Sequence, residues 1–131
     1  MPDIKAGIPC HSATIPQLIK SAAEHFGDKA FIIEGNYQLT FNQLLTQSRQ
    51  LAAALLSRGF ESGDRAAIWA PNMYQWVIAA LGIQTAGGVL VTINTRYKGS
   101  EAADLLRRSS VTILFSVGDF INTNYPKMLA T

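Results

Sequence analysis

Three short apolar runs, Arg65-Ala-Ala-Ile-Trp-Ala70, Val89-Leu-Val-Thr-Ile93 and Val111-Thr-Ile-Leu-Phe-Ser-Val117, alternate with two helical stretches and decide the fold of this chain. Val89 to Ile93 is β-branched with no alternation, the pattern of a strand covered on both faces. Between the first two runs, Met73 to Ala86 is apolar nearly all round, so it reads as a helix buried on several sides, capped at its start by Asn72 and ended by Gly87-Gly88. Between the second and third runs, Ser100-Glu101 opens a helix that passes through Leu105 and Leu106 to Arg108. Glu101 lies in its first turn, where a carboxylate is stabilised by the helix dipole. The resulting β-α-β-α-β order implies an α/β fold: parallel strands, right-handed crossovers and helices on the sheet faces.

Working outward, Thr14-Ile-Pro-Gln17 is a Thr-x-x-Gln capping box, followed by Leu18, Ile19, Ala22, Ala23 and Phe26 on one helical face, with Gly27 as the stop. Ala30 to Glu34 and Tyr37 to Leu39 flank Gly35-Asn36 and predict a hairpin. A second box, Thr40-Phe-Asn-Gln43, starts a helix with Phe41, Leu44, Leu45, Leu51, Ala52, Leu55 and Leu56 at helical spacing, which ends at Gly59. Gly63-Asp64 then turns the chain into the first run. Residues 1–13 read as an N-terminal tail and 14–131 as one subdomain of a larger N-terminal domain. From Asp119 to Thr131 a further αβ unit begins, with Phe120, Ile121, Tyr125 and Leu129 as its apolar positions, and stops without a closing strand. A sheet left with such an edge is prone to pair with another chain, so we expect a piece of a longer protein that self-associates when alone.

Composition excludes several classes. A chain of 131 residues is long enough to bury a core. With 48% hydrophobic and 15% charged residues and a mean hydropathy of +0.13, it is too apolar to be disordered. The 11 Lys and Arg against 9 Asp and Glu give a net charge of only +2, and the basic residues are scattered, so no nucleic-acid partner is expected. The single cysteine, Cys10, excludes an internal disulfide and suits a reducing compartment. Met1 to Lys5 carries no apolar signal region, which makes the cytoplasm the expected location. No charged side chain occurs between Arg65 and Arg96, yet Gln84, Thr85 and Gly87-Gly88 interrupt the apolar run from Trp76 to Ile93, so no transmembrane segment is expected.

Ligands of parallel α/β sheets gather beyond the carboxyl ends of the strands. Three loops lie there: Pro71-Asn72, Asn94-Thr-Arg-Tyr-Lys98 and Gly118-Asp119. In the second, Arg96 and Lys98 flank an aromatic ring and are either a phosphate grip for a nucleotide-like ligand or solvated loop charges; spacing alone favours the latter. Neither G-x-G-x-x-G after a strand nor G-x-x-x-x-G-K-[ST] occurs, which argues against a dinucleotide fold and a P-loop NTPase. Cys10-His11 offers a thiol beside an imidazole, but the only other histidine is His25 and no C-x-x-C is present, so no metal or thiol chemistry is expected. Trp69, Trp76, Tyr74 and Phe41 read as core aromatics in preference to a stacking platform. Glu61, Asp64 and Glu101 form no acid/base pair by spacing.

Leu39-Thr-Phe-Asn-Gln-Leu44, Leu51-Ala-Ala-Ala-Leu55, Arg58-Gly-Phe-Glu-Ser-Gly-Asp-Arg65, Ala70-Pro-Asn72, Trp76-Val77, Ala86-Gly-Gly-Val89, Asn94-Thr-Arg-Tyr97 and Ser100-Glu101 follow one another at informative spacings. As an ordered set, from Thr14 to about Val117, they resemble the opening of an AMP-forming acyl-CoA synthetase, of the adenylate-forming superfamily that includes luciferases and peptide-synthetase adenylation domains. The resemblance implies a two-step ligase. A carboxylate attacks the α-phosphate of ATP, with magnesium, to give an acyl-adenylate and pyrophosphate; coenzyme A thiolate then displaces AMP. It also implies that this chain lacks the family's Ser/Thr/Gly-rich phosphate loop, threonine-glutamate motif, hinge acid and C-terminal lysine. The expected partners are therefore the remainder of the enzyme and a carboxylic acid, and the chain alone should be inactive and bind ATP, coenzyme A and magnesium only weakly.

One site residue carries over from the resemblance. Arg96 matches the arginine that in some relatives approaches a nucleotide phosphate of coenzyme A. Ile93 and Thr95 stand where relatives often have proline around the loop asparagine. The Asn94 to Glu101 wording is closest to ligases for fatty or ring-bearing acids. The competing reading is an autonomous α/β binding module without catalysis, against which the unfinished C-terminal unit argues.

Overall fold

A computed structural model describes residues 14–120 and 123–130. Helix α1 (Ile15–Phe26) is followed by strands β1 (Ala30–Glu34) and β2 (Tyr37–Thr40), helix α2 (Phe41–Ser57), strand β3 (Arg65–Trp69), helix α3 (Tyr74–Thr85), strand β4 (Val89–Thr92), helix α4 (Gly99–Arg108) and strand β5 (Val111–Ser116). A short pair, β6 (Asp119–Phe120) and β7 (Thr123–Asn124), leads into helix α5 (Tyr125–Ala130). The helix starts follow local chemistry. Thr14 Oγ1 accepts the Gln17 amide at 3.3 Å, and the Thr40 box is complete: its hydroxyl accepts the Gln43 amide at 3.1 Å while Gln43 Oε1 accepts the Thr40 amide at 2.8 Å. Gly27 at φ +51° and Gly87 at φ +83° sit at the helix ends, where the left-handed region suits glycine.

Strands β3, β4 and β5 form a parallel sheet in the order β4-β3-β5, and β1 and β2 pair as an antiparallel hairpin. The chain steps from β3 to β4 on one side and then crosses back over β3 to β5. Strand β3 is therefore central, and Ala66, Ala67, Ile68 and Trp69 are all within 1% of complete burial. Side chains alternate across it. Ala66 and Ile68 join Ala52, Leu55, Phe60, Ala79, Ala80 and Ile83 in a core on the α2 and α3 side. Ala67 and Trp69 join Ile93, Ala102 and Tyr125 on the α4 and α5 side.

Three expectations are corrected. Strand β4 is covered only in part: Leu90 packs on the α2 and α3 side and Val91 on the α4 and α5 side, but Val89 is 47% exposed and Thr92 is exposed, because the strand order puts β4 at an edge. Asn72 does not cap α3. The N-cap residue is Met73, without a side-chain bond, and the Tyr74 amide donates instead to Glu34 Oε1 at 3.1 Å, with the Tyr37 and Tyr74 rings stacked at 4.1 Å. The final unit is not a plain αβ continuation, because an antiparallel pair intervenes before α5. In that unit Tyr125 is buried and Leu129 half-buried, whereas Ile121 and Thr131 lie outside the described residues.

The contact between α2 and α3 is close at Gly82, where an added Cβ would lie 2.6 Å from Leu51 Cδ2 and 2.9 Å from Leu51 Cβ. Overpacking of this kind costs about 1–3 kcal/mol, more than the roughly 1 kcal/mol that alanine gains in helix propensity. Gly82→Ala is expected to lower stability. An unchanged midpoint in urea denaturation would show that the helices separate freely.

Candidate functional site

Strand β3 leads into α3 on one face of the sheet, and β4, its neighbour, leads into α4 on the other. The loops after the two strands thus diverge and leave a crevice between them, which is where open α/β sheets take ligands. A cleft of about 660 Å³ lies there, lined by Pro71 and Asn72 from the first loop, Asn94, Thr95 and Tyr97 from the second, and Trp76 from the first turn of α3.

The second loop is held by specific bonds. The Ile93 amide donates to Ile68 O at 3.0 Å and continues the sheet ladder. Asn94 Oδ1 accepts the Arg96 amide at 2.9 Å, and Asn94 O accepts the Tyr97 amide at 3.0 Å, closing a tight turn. The same Asn94 carbonyl accepts Trp69 Nε1–H at 3.1 Å, and the neighbouring Thr95 carbonyl accepts the Tyr125 hydroxyl at 3.1 Å.

The residues singled out from sequence fall in different places. Arg96 is exposed at the turn, and its guanidinium makes no hydrogen bond or ion pair among the described residues. It stands beside the cleft lining without being part of it. Lys98 is exposed too and borders a separate hollow with Ser100, Arg107 and Met128, so the structure does not bring Arg96 and Lys98 into one cavity. Gly118, in the third loop, gives its carbonyl to the Tyr125 amide at 2.9 Å. Ser116 and Val117 line a smaller cavity of about 270 Å³ that shares Trp76 with the cleft.

Among the four aromatics, Trp76 alone lines the cleft. Trp69 is fully buried, Tyr74 stacks on Tyr37, and Phe41 packs against Phe26 and Phe31 at 5.0 and 5.1 Å. Asp64 Oδ2 accepts the Glu61 amide at 2.8 Å, a turn bond and not an acid/base pair. Cys10 and His11 lie outside the described residues, and the described residues contain no group of His, Cys, Asp and Glu able to hold a metal ion. No described helix is long and apolar enough to cross a membrane. Sequence reading missed Trp69 and Tyr125 as loop supports. The available signal was that buried tryptophan and tyrosine need hydrogen-bond partners.

The model of the AMP-binding enzyme family matches residues 19–129. This chain belongs to the AMP-binding enzyme family. Among curated members, the 3-[(3aS,4S,7aS)-7a-methyl-1,5-dioxo-octahydro-1H-inden-4-yl]propanoyl:CoA ligase of Rhodococcus jostii (strain RHA1) is 47% identical over 111 residues, covering 85% of this chain and 22% of the relative. The long-chain-fatty-acid–CoA ligase of Bacillus subtilis (strain 168) is 34% identical over 115 residues, covering 88% of this chain and 20% of the relative. The N-terminal subdomain of Klebsiella oxytoca NpsA shares the fold, with a TM-score of 0.76 at 21% identity over 86% of this chain and 30% of that one. The chain therefore spans about a fifth of the length of these AMP-binding relatives and aligns with a solved N-terminal subdomain.

Proposed function

We propose that this chain is the N-terminal part of an ATP-dependent, AMP-forming acyl-CoA ligase acting on fatty or ring-bearing carboxylic acids. The observation that carries the proposal is the 47% identity to a CoA ligase whose acyl group is a propanoyl chain on a fused ring, maintained over 85% of this chain. In the first step a carboxylate oxygen bonds to the α-phosphorus of ATP as the bond to pyrophosphate breaks. In the second, the coenzyme A sulfur bonds to the acyl carbon and AMP departs.

The residues of this chain fit only part of that chemistry. The cleft offers the amides of Asn72 and Asn94, the Tyr97 hydroxyl and the face of Trp76, groups suited to orienting a nucleotide or an acyl group by hydrogen bonding and packing. Its lining has no charged side chain, and the described residues hold no carboxylate cluster for magnesium. We therefore assign handling of the ATP phosphates and magnesium to the remainder of the enzyme, the partner of residues 14–131, with 1–13 as a tail. Arg96, exposed and with no guanidinium partner among the described residues, is assigned to a phosphate of coenzyme A. The single cysteine suits a reducing location such as the cytoplasm.

The test is turnover by the complete product of the reading frame that contains this chain. Supplied with ATP, Mg2+, coenzyme A and a panel of fatty and ring-bearing acids, it should release AMP and pyrophosphate and form the thioester. ADP release, or no acid-dependent nucleotide turnover, would refute the assignment.

A further inference from the structure

The Thr95–Arg96 peptide plane is held at both ends. Its carbonyl accepts the Tyr125 hydroxyl at 3.1 Å, and its N–H donates to Asn94 Oδ1 at 2.9 Å. Asn94 is itself anchored to the central strand by Trp69, whose ring meets that of Tyr125 edge to face at 4.6 Å. Both aromatic donors are buried, Trp69 completely and Tyr125 to within 4%. A peptide plane is rigid, so reorienting the Thr95–Arg96 unit changes ψ of Thr95 and φ of Arg96 together and sends the Arg96 side chain elsewhere. Because the Asn94 Oδ1 bond is internal to the turn and the Trp69 bond holds the preceding Asn94–Thr95 peptide, the Tyr125 hydroxyl supplies, among the described residues, the hydrogen bond that ties the Thr95–Arg96 plane to the body of the domain.

Helix α5 braces the same segment a second time. The Met128 carbonyl lies in direct contact with the position a Cβ would take at Gly99, the first residue of α4. Tyr125 and Met128 are three residues apart, hence neighbours on one face of α5. Between them they grip the loop at Thr95 and at Gly99.

We propose that Tyr125 is a positioning residue for the turn after β4: its hydroxyl sets the direction in which Arg96 and Tyr97 are presented at the cleft, and so the affinity for the ligand they meet. The proposal rests on the acyl-CoA ligase reading for the identity of that ligand. Tyr125→Phe tests it, because phenylalanine keeps the buried ring and its contact with Trp69 and removes only the hydroxyl.

Loss of one neutral hydrogen bond corresponds to roughly a threefold to tenfold change in the equilibrium it supports. In the full-length protein, amide hydrogen exchange across residues 95–98 should accelerate by about that factor. KM for coenzyme A should rise similarly while kcat holds. Unchanged exchange would overturn the proposal, since the hydroxyl would then not hold the turn. So would a proportionate loss of kcat in both half-reactions with no change in any KM, the mark of general destabilisation. If Arg96→Ala alters neither half-reaction while Tyr125→Phe accelerates exchange and raises the KM of any substrate, the assignment of Arg96 falls and the positioning role of Tyr125 stands, exerted through Tyr97.

Discussion

Arg96→Ala in the full-length protein is expected to raise the KM for coenzyme A by roughly tenfold to a hundredfold, the equivalent of losing a charge-assisted hydrogen bond of about 1.5–3 kcal/mol. Adenylate formation should be unaffected. The guanidinium has no partner among the described residues, so its removal breaks no internal bond and should leave the fold intact. The turn survives as well, because Asn94 Oδ1 accepts the backbone N–H of residue 96 whatever the side chain. Arg96→Lys should recover part of the loss, since a lysine keeps the charge and forfeits the planar fork. Both half-reactions must be measured. Equal losses in each would make Arg96 structural, and no loss in either would leave it a solvated surface charge.

The elements that could be read from sequence were those whose causes are local. Thr40 and Gln43 sit three positions apart, so a capping box is visible in four letters, and the β-α-β-α-β alternation follows from apolar runs separated by helical spacing. The elements misread had distant causes. A Val-rich run looks the same at a sheet edge as at the centre, and only the return of the chain across β3 makes β4 an edge. The first amide of α3 is satisfied by Glu34, 40 residues earlier, which no inspection of Asn72 and Met73 reveals.

The site divides along the same line. All three candidate loops were recognised, because they follow strands, but the cleft between the first two depends on α3 and α4 leaving on opposite faces of the sheet. Arg96 and Lys98 look like a pair in sequence. They separate because α4 begins at Gly99, drawing Lys98 toward the hollow it shares with Arg107 and Met128. Tyr125, read from sequence as one more apolar position of an unfinished unit, proves to support the loop that carries Arg96.

Residues 1 to 131 purified alone are expected to give no carboxylic-acid-dependent exchange of pyrophosphate into ATP above background. The α-phosphate under attack and the departing pyrophosphate carry charge that enzymes stabilise with preorganised cations, metal ions and backbone donors, and such groups usually supply the largest part of the acceleration. The cleft here is built from Ala70, Pro71, Asn72, Trp76, Thr92, Ile93, Asn94, Thr95 and Tyr97, with no charge among them. Arg96 stands outside this lining, and no carboxylate cluster among the described residues recruits magnesium. Packing and amide hydrogen bonds can orient a nucleotide, but adenylyl transfer without charge stabilisation lacks what is usually the largest single source of acceleration. The same exchange assay on the full-length product supplies the positive control. Exchange by the 131-residue chain would place the adenylation chemistry within these residues and overturn the assignment of ATP-phosphate handling to the rest of the enzyme.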